Sequence, residues 1–318
     1  GGGLFTEADL AHVQADWQVP LSADAFGVTL HTTGPNSQGY LALGAARLAS
    51  QLELPVDPDD ERWAHLLIEA AIAAGRDRPQ RLHEGVDGAD LLDIIDGRAD
   101  EIDVDRASGR AVPGDDGDTT YLCTAGRSRD GREMAVSLIQ SNASGFGSHL
   151  VEPQTGINLH NRGLGFSLEA GHPAEFGPGR RPPHTLLPMA ATRDDGSLAA
   201  VLGTMGGDAQ PQIMLQLATR LFHHRQAPAR SLAAGRWALT GPTSGFDTWT
   251  SRKGPGVALE GQAPAGWVGD LAARGHRTST APEWDSGFGH ACVITSGRDG
   301  MWVGAADPRS VVGSCAGG

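Results

Sequence analysis

The chain has 318 residues, 39% of them hydrophobic and 20% charged, with 45 glycines and a formal net charge of −13. That length is enough for two domains and a sizeable core, and the composition is that of a globular, turn-rich protein. The acidic balance argues against nucleic-acid and anionic-membrane partners, which need a basic surface, and points to a small-molecule or peptide substrate.

Three cysteines, Cys123, Cys292 and Cys315, are an odd count without metal-site spacing; idle or buried thiols are expected, with no disulfide framework, no metal and no cofactor. No apolar run approaches the roughly 18 to 20 residues of a spanning helix, and no basic segment followed by an apolar one stands at the start. The chain opens on Gly1 without Met, so the compartment stays open.

In chain order, Thr6 ahead of Glu7 and Asp9 predicts a capped short helix. Ala- and Leu-rich helical periods follow at 41–54 and 61–78, and an acidic surface loop or tail is expected over Asp87–Asp118. The period changes at Thr119, where TTYLCTA, the Asp130-Gly131-Arg132 turn and EMAVSLIQSN predict a hairpin. Short strands are expected at 156–161, 198–205, 290–296 and 301–306, with a helix at 212–225.

The junction GDDGDTTYLCTAG, residues 114–126, sets an acidic, glycine-broken loop against two threonines that open an apolar run. A threonine hydroxyl needs a base, and cutting the bond before Thr119 would free its own α-amine for that purpose. The same text also serves an ordinary loop-to-strand boundary, with threonine there for its β-propensity. Gly206-Gly207 after an apolar run could aim two backbone N–H groups at one oxyanion, or could simply turn a strand into a helix capped by Asp208. His223-His224 reads as a solvated helix end, and Asp103-Val104-Asp105 lacks the later ligands of a calcium loop.

Taken in order, D-TT at 118–120, DGREMAVSLIQSN at 130–142, FGS at 146–148, TGINLHNRGLGFS at 155–167, PGRRPPHTLLP at 178–188, LGTMGGDAQ at 202–210 and GAADPRS at 304–310 resemble the γ-glutamyltransferase family of N-terminal-nucleophile hydrolases. GGLFTEADL at 2–10 and PNSQG at 35–39 are similar to the later part of that family's large chain. The resemblance implies an α+β fold, a four-layer αββα sandwich. It implies cleavage between Asp118 and Thr119, with residues 1–118 as the large-chain-like part and 119–318 as the small-chain-like part, the two remaining associated.

Thr119 would then be the nucleophile, Thr120 would help position it, and Gly206 and Gly207 would hold the oxyanion. The substrate would be a γ-glutamyl or related acyl amide, with water or an amine as acceptor. Asn142, Arg162, His184 and Thr185 fall at substrate-binding positions. Arg162 and Gly165 replace a polar residue and an acid, and His184-Thr185 replace a pair of serines, which resembles the acylase-like branch. Without the acid, an acyl chain lacking an α-amine, such as glutaryl, is favoured, because a buried ammonium without a counter-ion is costly. Arg162 could equally bond carbonyls of a nearby turn. A glutaryl or cephalosporin-type acylase and an uncut, inactive scaffold are the alternative readings.

Overall fold

The computed structural model describes residues 6–11, 15–108, 119–241, 248–249, 255–297 and 299–318. Thr6 caps the first helix, α1 (Glu7–Ala11), through its N–H and hydroxyl, which donate to Asp9 Oδ2 at 2.7 and 2.8 Å. Strands β1 (Leu21–Ala25) and β2 (Val28–Thr32) follow as a hairpin whose turn holds Phe26 and Gly27 at φ 55° and 76°. Two successive positive φ values match the right-handed twist of the flanking strands.

Helix α2 (Gly39–Ser50) buries nearly its whole length, and α3 (Glu61–Gly75) starts where the Asp60 carboxylate accepts from Arg62 N at 2.8 Å. After the single turn α4 (Arg78–Arg81), the expected acidic loop contains instead a helix, α5 (Gly88–Asp96), capped by Asp87. Its LLDIID text puts Leu91, Leu92 and Ile95 on one buried face, so the acidic residues are the solvated side of an amphipathic helix. Gly44 of α2 meets it closely: a Cβ there would lie 2.6 Å from Ile95 Cδ1.

Strands β3 (Thr119–Arg127) and β4 (Glu133–Ser141) form the predicted hairpin, in register from Thr119↔Ser141 to Arg127↔Glu133. The strand expected at 156–161 is absent; that stretch makes one bridge, Val151↔Asn158, and bonds only to the loop just before it. The order continues with β5 (Met189–Thr192), β6 (Leu198–Thr204), α6 (Gln210–Ala218) running into a wide turn over Thr219–His223, and α7 (Pro228–Ala233). It ends with β7 (Trp237–Thr240), β8 (Gly256–Leu259), α8 (Gly266–Ala273), β9 (Thr278–Thr280), β10 (Ala291–Ser296) and β11 (Trp302–Ala306).

Among the described residues the strands form a six-stranded antiparallel sheet in the order β1-β2-β5-β6-β10-β11, the β3-β4 hairpin, and a small mixed sheet β7-β8-β9. Strands from both sides of residue 118 therefore share one sheet, joined where β2 pairs with β5. Helices α2, α3 and α6 close a core with Leu30, Leu43, Leu67 and Leu202, all fully buried. The hairpin packs against β6 and β10 from the other side, giving the α+β sandwich its second sheet.

Candidate active site

Alternation along β3 turns Thr119, Tyr121 and Cys123 toward the six-stranded sheet and Thr120 and Leu122 toward solvent. The buried Tyr121 ring is accommodated by Gly203 of β6, where a Cβ would come within 2.2 Å of it, and its hydroxyl pairs with Ser137 Oγ at 2.8 Å. Glu133 Oε2 accepts from Leu198 N at 3.3 Å, and Ser137 Oγ donates to Leu202 O at 3.3 Å. β4 thus runs in the same direction as β6, four residues for four. Continued four residues further, that register would set Ser141, and its partner Thr119, level with the end of β6, where Met205-Gly206-Gly207 begins.

Thr119 is half-buried, and its Oγ1 donates to Ser141 Oγ at 3.0 Å; Ser141 Oγ also accepts from Ala143 N at 3.0 Å. Thr120 is exposed on the opposite face, so the structure does not bring its side chain to that of Thr119. Asp118 lies outside the described residues. Burial, aided by neighbouring Cys292, pushes the Cys123 thiol up to about 12, which keeps it protonated and unreactive at neutral pH.

The glycine turn is fixed by its backbone. Gly206 and Gly207 stand at φ 134° and 52°, conformations a side chain would strain. Gly206 O accepts from Ala209 N at 2.9 Å, and since a trans peptide sets C=O and N–H on opposite sides, the Gly207 N–H points away from that turn. Buried Gln38 ties the turn to the neighbouring loop, donating from Nε2 to Gly207 O at 2.9 Å and to Thr185 O at 3.3 Å.

Beside these elements lies a cleft of about 270 Å³ whose lining includes Arg78, Ser144, Arg162, Gly165, His184 and Thr185. His184 is clamped by backbone bonds to the PNSQG loop, its N donating to Asn36 O and its O accepting from Gln38 N, both at 2.9 Å. Burial, then the charges of Arg162 and Arg78, hold its imidazole down to about 4, so it is neutral at pH 7. Arg162 Nη2 reaches Ser141 O at 3.5 Å, and among the described residues it forms no ion pair. Arg78 Nη2 lies 3.6 Å from Asp208 Oδ1. A Cβ on Gly165 would come within 2.1 Å of Pro183 O, so this backbone excludes an acidic side chain there. Asn142 is half-buried at the end of the hairpin, its carbonyl accepting from Asn161 N at 3.0 Å.

The structure therefore gathers Arg162, His184 and Thr185 around one cleft; Thr119, Gly206 and Gly207 are not in its lining, and the hairpin end meets it through Arg162, which reaches the Ser141 carbonyl. Ser141, Gln38 and Arg78 were not singled out by sequence. Ser141 could have been found from the hairpin register; Arg78 and Gln38 carried no local signal, since their partners lie over a hundred residues away. The GAADPRS block proves structural: Asp307 and Arg309 bond Arg236 and Glu260 in a buried network, with Arg236 Nη2 2.6 Å from Asp307 Oδ2 and Arg309 Nε 2.6 Å from Glu260 Oε1. Asp103 Oδ1 accepts from Asp105 N and Arg106 N, closing a local turn.

A helix layer on a large sheet, with a second sheet headed by a threonine packed face to face upon it, is the architecture of the N-terminal-nucleophile acylases. The chain belongs to the gamma-glutamyltranspeptidase family, whose model matches residues 1–316. It is 34% identical over 315 residues to an oxamate amidohydrolase proenzyme of Klebsiella pneumoniae, covering 97% of this chain and 57% of that protein. It is 28% identical to a glutathione hydrolase-like proenzyme of Bacillus subtilis, covering 97% and 58%. The crystal structure of a cephalosporin acylase from Bacillus halodurans superposes with a TM-score of 0.84 at 30% identity, covering 99% of this chain and 56% of that one. The chain thus spans little more than half the length of these relatives.

Proposed function

We propose that this chain carries the nucleophile and acyl site of an autoprocessing N-terminal-threonine amidohydrolase acting on amides of carboxylate-bearing acyl groups. Once the Asp118–Thr119 bond is cut, the Thr119 α-amine takes the proton from its own Oγ1, which attacks the amide carbonyl. The N–H groups of Gly206 and Gly207 receive the oxyanion, the amine leaves carrying the proton, and water or an amine acceptor then releases the acyl group from the threonine ester. Before cleavage the amine is an amide and no such base exists, so the uncut chain is a zymogen. Residues 1–118 and 119–318 remain associated through the β2–β5 pairing and the Gln38 bonds.

The single observation that carries the substrate reading is the cleft holding two guanidiniums, Arg78 and Arg162, against a neutral His184. A guanidinium fork suits a carboxylate, and the backbone at Gly165 leaves no room for the acid that would hold an α-ammonium. The relatives named oxamate amidohydrolase and cephalosporin acylase support the same direction. Thr185, in the lining of the cleft, supplies a neutral donor, and Asn142 at the end of the hairpin is assigned the same role.

Initial rates on oxamate, glutaryl anilide and γ-glutamyl anilide test this. Hydrolysis of either amine-free substrate ahead of the γ-glutamyl one is the expected result; preference for the γ-glutamyl anilide would contradict it.

A further inference from the structure

Behind α3, away from the cleft, the side chains of His65, Glu69 and His276 meet in the interior. Their relative exposures are 0%, 2% and 5%. Four residues apart on α3, His65 and Glu69 project from the same face of the helix. His276, just past the end of α8, reaches them from another element. One donor atom from each lies within 4.8 Å of the other two: His65 Nδ1 is 2.8 Å from His276 Nε2, and His276 Nε2 is 3.8 Å from Glu69 Oε1.

Two features make this more than a buried hydrogen-bond cluster. First, His65 Nε2 lies 3.0 Å from the Asp103 carbonyl, which can only accept, so that nitrogen carries the proton and Nδ1 presents its lone pair to the cluster. A carbonyl fixing the outer ring nitrogen is the usual support of a metal-binding imidazole. Second, the Glu69 carboxylate is buried, and the basic group within 4 Å of it among the described residues is His276 at 3.8 Å, too long for a hydrogen bond. Glu69 accepts from the Ser108 backbone N, at 3.3 Å, and from the Ser108 side chain, and neither donor carries charge.

We propose that His65, Glu69 and His276 bind one first-row divalent cation, with Zn2+ the best match. Two imidazoles and a carboxylate are an established zinc set, with bonds of about 2.0–2.2 Å. Tetrahedral bonds of that length place the two nitrogens about 3.3 Å apart, so the rings need separate by only about half an ångström. Water completes the coordination. The ion would neutralise Glu69 and join α3 to the end of α8 and to the 103–108 loop, a structural role independent of the hydrolase reading.

Calorimetric titration of chelator-treated protein with Zn2+ alone tests it, alongside melting with and without the ion and Co2+ spectra. One Zn2+ per chain is expected, with the Tm raised by about 4 °C at a hundredfold excess over Kd, and Co2+ should give visible absorption of a four-coordinate N/O site. Glu69→Gln and His276→Gln should each weaken binding by at least the roughly 100-fold that supporting residues alone can reach. Wild-type protein showing neither Zn2+-dependent stabilisation nor a Co2+ spectrum would overturn the proposal whatever the variants do. Binding unaffected by both substitutions would overturn it as well, by moving the ion elsewhere.

Discussion

On one face of the six-stranded sheet, α2, α3 and α6 leave Leu43, Leu67 and Ile213 fully buried; on the other, the β3–β4 hairpin seats Tyr121 on Gly203 but leaves Leu122, Met134, Val136 and Leu138 at 43, 60, 49 and 42% exposure. The helical face is dry and closely packed, where each methylene removed leaves a cavity. The hairpin is tied down by polar contacts at its inner face, through Ser137 and Glu133, and it holds the threonine at its leading edge. Stability is thus concentrated in one layer and the proposed chemistry in the other. Substitutions in the two layers should therefore be distinguishable by whether they change folding or turnover.

The largest separation is expected from Leu67→Ala in the helical layer, which should cost about 3 kcal/mol of unfolding free energy, read by denaturant titration. Next comes Gly206→Val, which should lower turnover by about 10²-fold, the scale of one lost oxyanion donor; steady-state rates with Tm measured in parallel would show whether the loss is catalytic. Acidification sits below these. His184 in the cleft and His224 near the helices are both held down to about 4, chiefly by burial. Between their ordinary value and that one, the unfolded chain takes up protons the folded chain refuses. Stability should therefore fall as pH drops from about 6.5 toward 4 and level off above 7, which melting curves across that range would check. The smallest effect is expected from Leu122→Thr on the outward face of the hairpin, within about 0.5 kcal/mol. A loss as large as that of Leu67→Ala would erase the contrast between the layers.

Periodicity made much of both layers legible. The Ala/Leu repeats of α2 and α3 and the alternation of β3, β4, β6 and β10 read directly from the text. β1 escaped because LSADA has no β-branched residue, and α5 escaped because its acidic residues masked a helical period. The short strands β7 to β9 take their identity from pairing with one another rather than from composition. At the site, Thr119, Gly206, Gly207 and His184 could be picked from ordered blocks. Ser141 required knowing the hairpin register, Arg78 read only as a helix end, and the role of Gln38 depends on partners 147 and 169 residues away. Long-range polar bonds leave no periodic trace in a sequence, and that is where legibility ended.

The central claim, that Thr119 is a nucleophile released by cleavage at its own N-terminal side, is tested most directly by a denaturing mass spectrum of the purified protein and of its Thr119→Ala variant after hours of incubation. The account predicts two wild-type chains, ending at Asp118 and beginning at Thr119, and a single intact variant chain. Cleavage of both proteins at that bond, or of neither, would contradict it.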